Sequence, residues 1–176
     1  MRKVRYSVAA SVDGYIADQR GGFDWIIMDP AIDFPAFFET IDTVLMGRRT
    51  FEVALQQGPE AAMPGMRKFV FSRTLRADDH PGVTIVTEDA ASTVAALRAE
   101  DGKDIWLMGG GVLFKSLLEA GLVDTVEVGV VPVLLGQGVP LLPGGDTATR
   151  LDLMKTETFP SGIILLKYAV RRAAGH

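Results

Sequence analysis

The chain has 176 residues, of which 48% are hydrophobic and 23% charged, and it carries a net charge of −4 at pH 7 and no cysteine. This length predicts one domain over residues 1–176, and the lack of cysteine excludes disulfides and cysteine-ligated zinc. Scattered basic residues on an acidic chain argue against nucleic acid as a partner. No apolar run reaches the ~18 residues of a membrane helix, and no signal peptide follows residues 1–5. We therefore expect a cytoplasmic protein without membrane contact.

Eight apolar, β-branched runs predict eight strands. They span residues 4–10, 43–46, 68–72, 83–86, 105–108, 125–134, 151–159 and 163–170. Three helical patterns lie between these runs, at residues 33–40, 90–100 and 112–120. Asp89 is a suitable N-cap for the second helix, and Gly121 is a typical residue to end the third.

The alternation of strands and helices predicts an α/β fold with a mostly parallel sheet. The last two runs are separated only by Pro160-Ser161-Gly162, which predicts a closing antiparallel hairpin. The sheet is therefore expected to be mixed. Ligands of such sheets bind at the carboxyl ends of the strands, so the residues that follow each strand are the candidate site.

Two candidate turns lie in the first third of the chain. Small residues end the first run at Ala9, Ala10 and Ser11 and precede Asp13-Gly14, where a flat ring could lie against the backbone; a plain Asp-Gly turn is the alternative. The second run ends at Gly47-Arg48-Arg49-Thr50. Arginine and a hydroxyl suit a phosphate, but the same residues could equally start a capped helix with solvated arginines.

Two further turns follow later strands. Ser72-Arg73 suits a ribose phosphate or an ordinary strand end. The run at 105–108 ends in Gly109-Gly110-Gly111, directly before a helix. Glycines let the backbone approach a diphosphate closely, and the helix N-terminus offers free amides. A tight turn that binds nothing is the alternative. The spacing is not Gly-x-Gly-x-x-Gly, so a Rossmann fold is not indicated.

Other chemistries lack the residues they need. His80 lies in a polar loop and His176 is the last residue, so neither is well placed as a base or metal ligand. There is no Gly-x-Ser-x-Gly elbow, no lysine in a Walker loop and no His or Cys cluster for a transition metal. We therefore expect no metal, and a phosphate-rich cofactor that brings its own reactivity.

The four turns together form an ordered set of motifs. They are Ser-x-Asp-Gly-x-Ile-Ala at 11–17, Met-Gly-Arg-x-Thr-Phe at 46–51, Ser-Arg at 72–73 and Gly-Gly-Gly at 109–111. In this order they resemble dihydrofolate reductases, and more closely the reductase domain of bifunctional riboflavin-biosynthesis enzymes and their stand-alone bacterial relatives. The similarity covers residues 4 to about 170. It implies a dihydrofolate-reductase-like, three-layer α/β/α fold with eight strands.

The resemblance also implies NADPH as the cofactor and a role for each matching residue. Gly109, Gly110 and Gly111 would lie under the diphosphate, with one cis peptide bond between adjacent glycines. Arg48 and Thr50, after Gly47, would hold phosphates. Ser72 and Arg73 would lie near the 2′-phosphate. Ala9 and Ile16 would lie beside the nicotinamide, with Phe114 nearby. Val112 and Leu113 would continue the diphosphate turn.

The substrate and proton donor are less defined by the sequence. The resemblance implies hydride transfer to a carbonyl, imine or sugar-amine carbon, with the phosphoribosylamino-pyrimidine of riboflavin synthesis as one substrate. Asp33, and second Asp13, are the candidate acids, because a carboxyl group in an apolar pocket has a raised pKa; an N-cap is the alternative for Asp33. Dihydrofolate reductase and an NADPH-binding protein without reductase activity remain alternative functions.

A homodimer is the expected assembly. Val126, Val128, Val130 and Val131, with residues 133–142, supply more apolar surface than one small sheet covers. The resemblance supports the same expectation, because relatives often form dimers.

Overall fold

The computed structural model describes residues 1–58, 63–145 and 148–172, so His176 lies outside the described residues. The strands are β1 Val4–Ser11, β2 Tyr15–Ala17, β3 Ile41–Gly47, β4 Arg67–Phe71, β5 Thr84–Val86, β6 Asp104–Gly109, β7 Thr125–Val131, β8 Val139–Pro140, β9 Leu151–Thr158 and β10 Ile164–Val170. The helices are α1 Phe34–Glu39, α2 Arg48–Gln56, α3 Ala90–Ala99 and α4 Gly111–Glu119, with a 3₁₀ turn at Ala77–Asp79.

The main sheet has eight strands in the order β5-β4-β3-β6-β1-β7-β10-β9. Pairing is parallel from β5 to β7, and β10 pairs antiparallel with both β7 and β9. The predicted α/β fold, with a mixed, mostly parallel sheet and a closing hairpin, is therefore confirmed. The parallel arrangement brings the carboxyl ends of β3, β6 and β1 to one edge, where the candidate turns lie.

Helices cover both faces of the sheet. Even-numbered side chains of β1, such as Val4 and Tyr6, point to the face covered by α3 and α4, where the ring of Tyr6 stacks on Phe114 with centroids 3.7 Å apart. The opposite face of β3 packs Val44 and Met46 against Phe51 of α2. Short helix α1 lies on this second face, since the ring of Phe37 meets Trp106 of β6 edge-on at 5.3 Å. The layers are thus α/β/α, as implied.

Some elements differ from their predicted bounds. Strand β7 ends at Val131 instead of residue 134, because Pro132 has no N–H to donate to the ladder. A small second sheet, in which β2 pairs with β8, was not predicted. Helix α2 is a full element of nine residues beginning at Arg48, which agrees with the helix-start interpretation of the Gly47 turn.

The apolar side chains predicted to form a dimer surface differ in exposure. Strand β7 lies between β1 and β10, and its Val126 and Val131 are buried, so these two are not available for a dimer. Val128 and Val130 are half-buried, and Leu134 and Leu142 beyond β7 are exposed. Further exposed apolar side chains lie on the edge strand β9, at Leu151, Leu153 and Met154.

Candidate functional site

The turns after β3 and β6 meet at one corner, because these two strands are neighbours and parallel. A Cβ on Gly47 would lie 3.4 Å from the Gly110 nitrogen and 3.7 Å from the Gly109 oxygen. A Cβ on Gly109 would lie 3.2 Å from the Thr50 hydroxyl oxygen. Residues 47–50 and 109–111 are therefore in contact, and we call them the glycine corner.

The backbone of the glycine corner has the features that the resemblance implies. The peptide bond between Gly109 and Gly110 is cis, and Gly109 has φ of 147°, a conformation that favours glycine. Gly47 is the N-cap of α2 and Gly110 is the N-cap of α4, and neither helix receives a side-chain cap. First-turn amides of two nine-residue helices thus have no side-chain acceptor at this corner, and such amides attract anions.

Arg48 connects the glycine corner to the turn after β4. Its Nε donates to Glu52 Oε1 at 2.7 Å, and a terminal nitrogen donates to the Thr74 hydroxyl at 3.0 Å. The Ser72 hydroxyl oxygen lies 3.3 Å from that of Thr74 and accepts the amides of Thr74 and Leu75. The guanidinium of Arg48 therefore stands beside Ser72, while Arg73 is exposed. Sequence analysis missed Glu52 and Thr74; the i,i+4 spacing of Arg48 and Glu52 was the available signal.

The three predicted residues at the start of α4 have different surroundings. Val112 is 77% exposed beside the corner, whereas Leu113 and Phe114 are buried. The ring of Phe114 stacks on Tyr6, and Tyr6 lies on the face of β1 opposite to Ala9. The ring of Phe114 therefore lies on the face of β1 opposite to Ala9, which does not fit the expected position of this ring near a nicotinamide over Ala9.

A ribbon made of β2 and β8 lies over the start of α4. Ala9 and Ile16, the predicted nicotinamide neighbours, are half-buried on β1 and β2. A Cβ on Gly111 would lie only 2.9 Å from the Pro140 oxygen and 3.2 Å from the Leu141 oxygen. Residues 138–141 therefore form a wall of the glycine corner, which sequence analysis missed because β8 has only two residues.

Asp13 holds the ribbon to the main sheet. Its carboxylate accepts the amides of Leu135 at 3.1 Å and Gly136 at 2.7 Å. The Ser11 hydroxyl, followed by these two amides, holds the pKa of Asp13 below its usual range. The expectation of a raised pKa in an apolar pocket is therefore wrong for Asp13, because the group is exposed and surrounded by donors.

Asp33 caps helix α1. Its carboxylate accepts the Ala36 amide at 2.9 Å, and the side chain is exposed. The N-cap interpretation of Asp33 is thus correct, and the expected apolar pocket is absent around it, because the residue precedes a short helix at the protein surface.

A charged cluster lies on the same face of β1 as Ala9. Arg5 donates to both carboxylate oxygens of Glu127, at 2.8 and 2.9 Å, and Lys167 Nζ lies 3.1 Å from Glu127 Oε1. The guanidinium of Arg5 also stacks over the ring of Phe37, 4.9 Å from its centroid. We call Arg5, Glu127 and Lys167 the polar floor. Burial opposes ionisation of Glu127, but the hydrogen bonds and charges of Arg5 and Lys167 outweigh it and hold its pKa below the usual range.

Comparison with known proteins agrees with this geometry. Residues 2–165 match the family model of the RibD C-terminal domain. The chain belongs to this family. It is similar to the uncharacterized protein YyaP of Bacillus subtilis (strain 168), with 34% identity over 95% of this chain and 94% of YyaP. It is also similar to the crystal structure of a putative riboflavin biosynthesis protein from Shewanella sp. PV-4, with 29% identity, a TM-score of 0.82 and coverage of 98% and 100%.

The fold extends to dihydrofolate reductases. The structure of dihydrofolate reductase from Enterococcus faecalis, complexed with NADP(H) and RAB-propyl, has 22% identity, a TM-score of 0.67 and coverage of 97% of both chains. This RibD-type chain therefore has a dihydrofolate-reductase-like fold. Among the described residues, no helix is long and apolar enough to cross a membrane.

Proposed function

We propose that this RibD-type chain is an NADPH-dependent reductase. The observation that carries the proposal is the glycine corner, where Gly47 and Gly110 place two helix N-termini without side-chain caps against each other. A dinucleotide carries linked phosphates that need such backbone donors, because a buried or half-buried phosphate oxygen must be hydrogen-bonded. A plain turn between strand and helix needs only one glycine.

We assign each part of NADPH to residues in and around the glycine corner. The amides that follow Gly47 and Gly110, with the Thr50 hydroxyl, would bind the diphosphate. Arg48, with Ser72 and Arg73, would bind the 2′-phosphate, since the guanidinium of Arg48 reaches the Ser72 turn through Thr74. Ala9 and Ile16 would border the nicotinamide. NADPH supplies the hydride, and the protein contributes position and electrostatics.

For the substrate we propose a small cyclic or phosphoribosyl compound, with the pyrimidine of riboflavin synthesis as the leading candidate. The family and the Shewanella relative support this choice. In such a reduction the hydride goes to a carbonyl, imine or sugar-amine carbon, and a proton goes to the neighbouring heteroatom.

The proton is proposed to come from water or from Asp33, since the lowered pKa of Asp13 makes that carboxyl group a poor donor. Asp33→Asn keeps the helix-capping oxygen, since asparagine also caps helices well. We expect this variant to lower kcat at least about tenfold if Asp33 relays the proton, with the affinity for NADPH unchanged. An unchanged kcat leaves water as the donor. Asp13→Asn is expected to act on the ribbon, through the amides of Leu135 and Gly136.

Arg48→Ala is expected to reduce the preference for NADPH over NADH. Loss of a charge-assisted contact to the 2′-phosphate costs about 1.5–3 kcal/mol, or roughly 10- to 150-fold in NADPH affinity, while NADH affinity changes little. Ser72→Ala should reduce the difference between the NADPH and NADH affinities by a smaller factor. The measurement is a fluorescence titration of each variant with both nucleotides.

Arg150→Ala is the matched control for Arg48→Ala. Arg150 is an exposed arginine directly before β9, on the edge strand opposite to β5. Arg150→Ala should leave the NADPH and NADH affinities unchanged. Equal NADPH and NADH affinity in the unmodified protein, or equal losses of both nucleotides in Arg48→Ala, would contradict the proposed 2′-phosphate position.

We also propose that the protein is a homodimer, and that β9 contributes to the interface. Strand β9 is an edge strand with exposed apolar side chains at Leu151, Leu153 and Met154, and unprotected edges of this kind tend to pair. Sedimentation velocity should give twice the mass of the chain, and a charged residue in place of Leu153 should return the mass to that of one chain.

A further inference from the structure

Three side chains stand in one row across the face of the sheet that carries Ala9. Ser7 of β1 is the register partner of Glu127 of β7, and Glu127 is the register partner of Lys167 of β10. The next row toward the carboxyl end of β1 consists of Ala9, Gly129 and Leu165. Rows on one face of a sheet are about 7 Å apart and neighbouring strands about 4.8 Å apart. Lys167 is one row and two strands from Ala9, so their Cα atoms are roughly 12 Å apart. The long lysine side chain and a substrate larger than one ring would together span this distance.

Glu127 does not need Lys167 to balance its charge. Arg5 forms a two-pronged ion pair with both oxygens of Glu127, at 2.8 and 2.9 Å, and the Thr125 hydroxyl donates to Oε1 at 3.0 Å. An arginine fork is the strongest partner for a carboxylate in proteins. The ammonium of Lys167, 3.1 Å from Oε1, is a second cation on a carboxylate that already has one.

The exposure of the three side chains separates their roles. The side chains of Arg5 and Glu127 are 10% and 7% exposed, whereas that of Lys167 is 29% exposed. An ammonium has three N–H donors, and Glu127 is its only ion-pair partner in the described part of the chain. Lys167 can therefore offer donors and a positive charge to a molecule bound above the sheet.

The two ends of the row are covered by other parts of the chain, and the residues between them are partly open to solvent. Helix α1 covers the Arg5 end of the floor through the ring of Phe37. At the other end, the Asp29 carboxylate accepts the Ser161 amide at 2.9 Å and ties the segment before α1 to the β9–β10 turn. Ser7, Ala9, Gly129, Leu165 and Lys167 between these ends are all half-buried.

We propose that Lys167 is a substrate-binding residue that selects a substrate carrying an anionic oxygen group, either a phosphate or a carboxylate. This inference rests on the proposed function, because it places the substrate next to a nicotinamide over Ala9. Glu127, fixed by Arg5, orients the ammonium. A neutral substrate would make no charge-assisted contact with the ammonium, whose one anionic neighbour would remain Glu127, so the site favours an anionic substrate.

The test uses protein saturated with NADP⁺, so that the phosphate positions of the cofactor are occupied. Ribose 5-phosphate and p-aminobenzoylglutamate are then titrated while amide signals are followed by NMR, with ribose as the neutral comparison. The first probe carries a phosphate and the second carries carboxylates, so the two titrations distinguish the sources of the anionic group. We expect at least one anionic probe to bind and ribose not to bind.

Three variants assign the binding to Lys167. Lys167→Met should weaken binding of the anionic probe at least tenfold, and Lys167→Arg should stay within about threefold of the unmodified protein. Lys155→Met is the matched control, because Lys155 is the register partner of Lys167 on β9 but is 61% exposed and paired with Glu157. It should leave binding unchanged. A structural role for Lys167 would not separate the methionine and arginine variants in this way.

Two outcomes would overturn the inference: no binding of either anionic probe to the unmodified protein, or equal binding to Lys167→Met. Saturation with NADP⁺ is a separate observation. If NADP⁺ does not bind, the proposed cofactor is contradicted. The anionic probes can then be titrated against the protein alone, which tests Lys167 independently of the cofactor.

Discussion

Replacing Gly47 by alanine is expected to lower the affinity for NADPH roughly 10- to 150-fold, the equivalent of about 1.5–3 kcal/mol for one charge-assisted hydrogen bond. The new methyl group would lie 3.4 Å from the Gly110 nitrogen and 3.7 Å from the Gly109 oxygen, inside the corner that the diphosphate is proposed to occupy. The backbone tolerates alanine, because Gly47 has φ of −74°. The measurement is a fluorescence titration with NADPH beside a urea unfolding curve.

The unfolding curve separates a lost ligand position from a damaged fold. Alanine is a poorer N-cap than glycine, so the variant should lose no more than about 1 kcal/mol of stability. Gly144→Ala is the matched control, because a Cβ on Gly144 meets no atom within 4 Å. It should bind NADPH normally. Normal NADPH affinity in Gly47→Ala would mean that the diphosphate does not occupy the glycine corner.

Replacing Glu127 by leucine is expected to lower the free energy of unfolding by about 3–5 kcal/mol. The change removes both hydrogen bonds of Arg5 to a buried carboxylate. It leaves the guanidinium, which is only 8% exposed, with Asp104 at 3.6 Å as its remaining carboxylate, and a buried charge that loses its closest partner is costly. Urea unfolding measures the loss. The double variant Arg5→Met, Glu127→Leu should recover more than half of it, because an apolar pair of similar size can replace a buried ion pair.

Glu157→Leu is the control for Glu127→Leu. Glu157 pairs with Lys155 at the surface, with side chains 41% and 61% exposed, and such pairs contribute about 0–1 kcal/mol. A loss as large as that of Glu127→Leu would show that the effect does not come from the buried charge. So would a double variant that is less stable than Glu127→Leu alone.

The pH dependence of stability should report the same ion pair. The folded-state pKa of Glu127 lies below its ordinary value of 4.5, so the ionised carboxylate contributes stability above pH ~4.5. That contribution is lost as the pH falls further, through the folded-state pKa. The unmodified protein should therefore lose stability more steeply below pH ~4.5 than Glu127→Leu, as measured by urea midpoints at several pH values.

The features predicted correctly from the sequence are those encoded by neighbouring residues. Apolar runs gave the eight strands of the main sheet, and glycine after a strand marked both halves of the glycine corner. The contact between Gly47 and Gly110 was not predicted, because it depends on β3 and β6 being neighbours in the sheet. Helix α2 was not predicted as an element because its first turn consists of two arginines and a threonine, which suit a phosphate as well as a helix.

The features that sequence analysis missed depend on contacts between distant residues. Arg5 and Glu127 are 122 positions apart, and they meet only because β1 and β7 are adjacent. The β2–β8 ribbon has strands of three and two residues, which are too short to show an alternating pattern. The expectation that Asp33 lies in an apolar pocket was wrong. The burial of Asp33 depends on where the short helix α1 lies, and local sequence does not encode that position.

A crystal structure of the protein with NADP⁺ tests the central claim most directly. We expect the diphosphate to accept backbone amides that follow Gly47 and Gly110, with the 2′-phosphate beside Arg48 and Ser72 and the nicotinamide over Ala9. Density for NADP⁺ at another place on the sheet, with the glycine corner empty, would contradict the account.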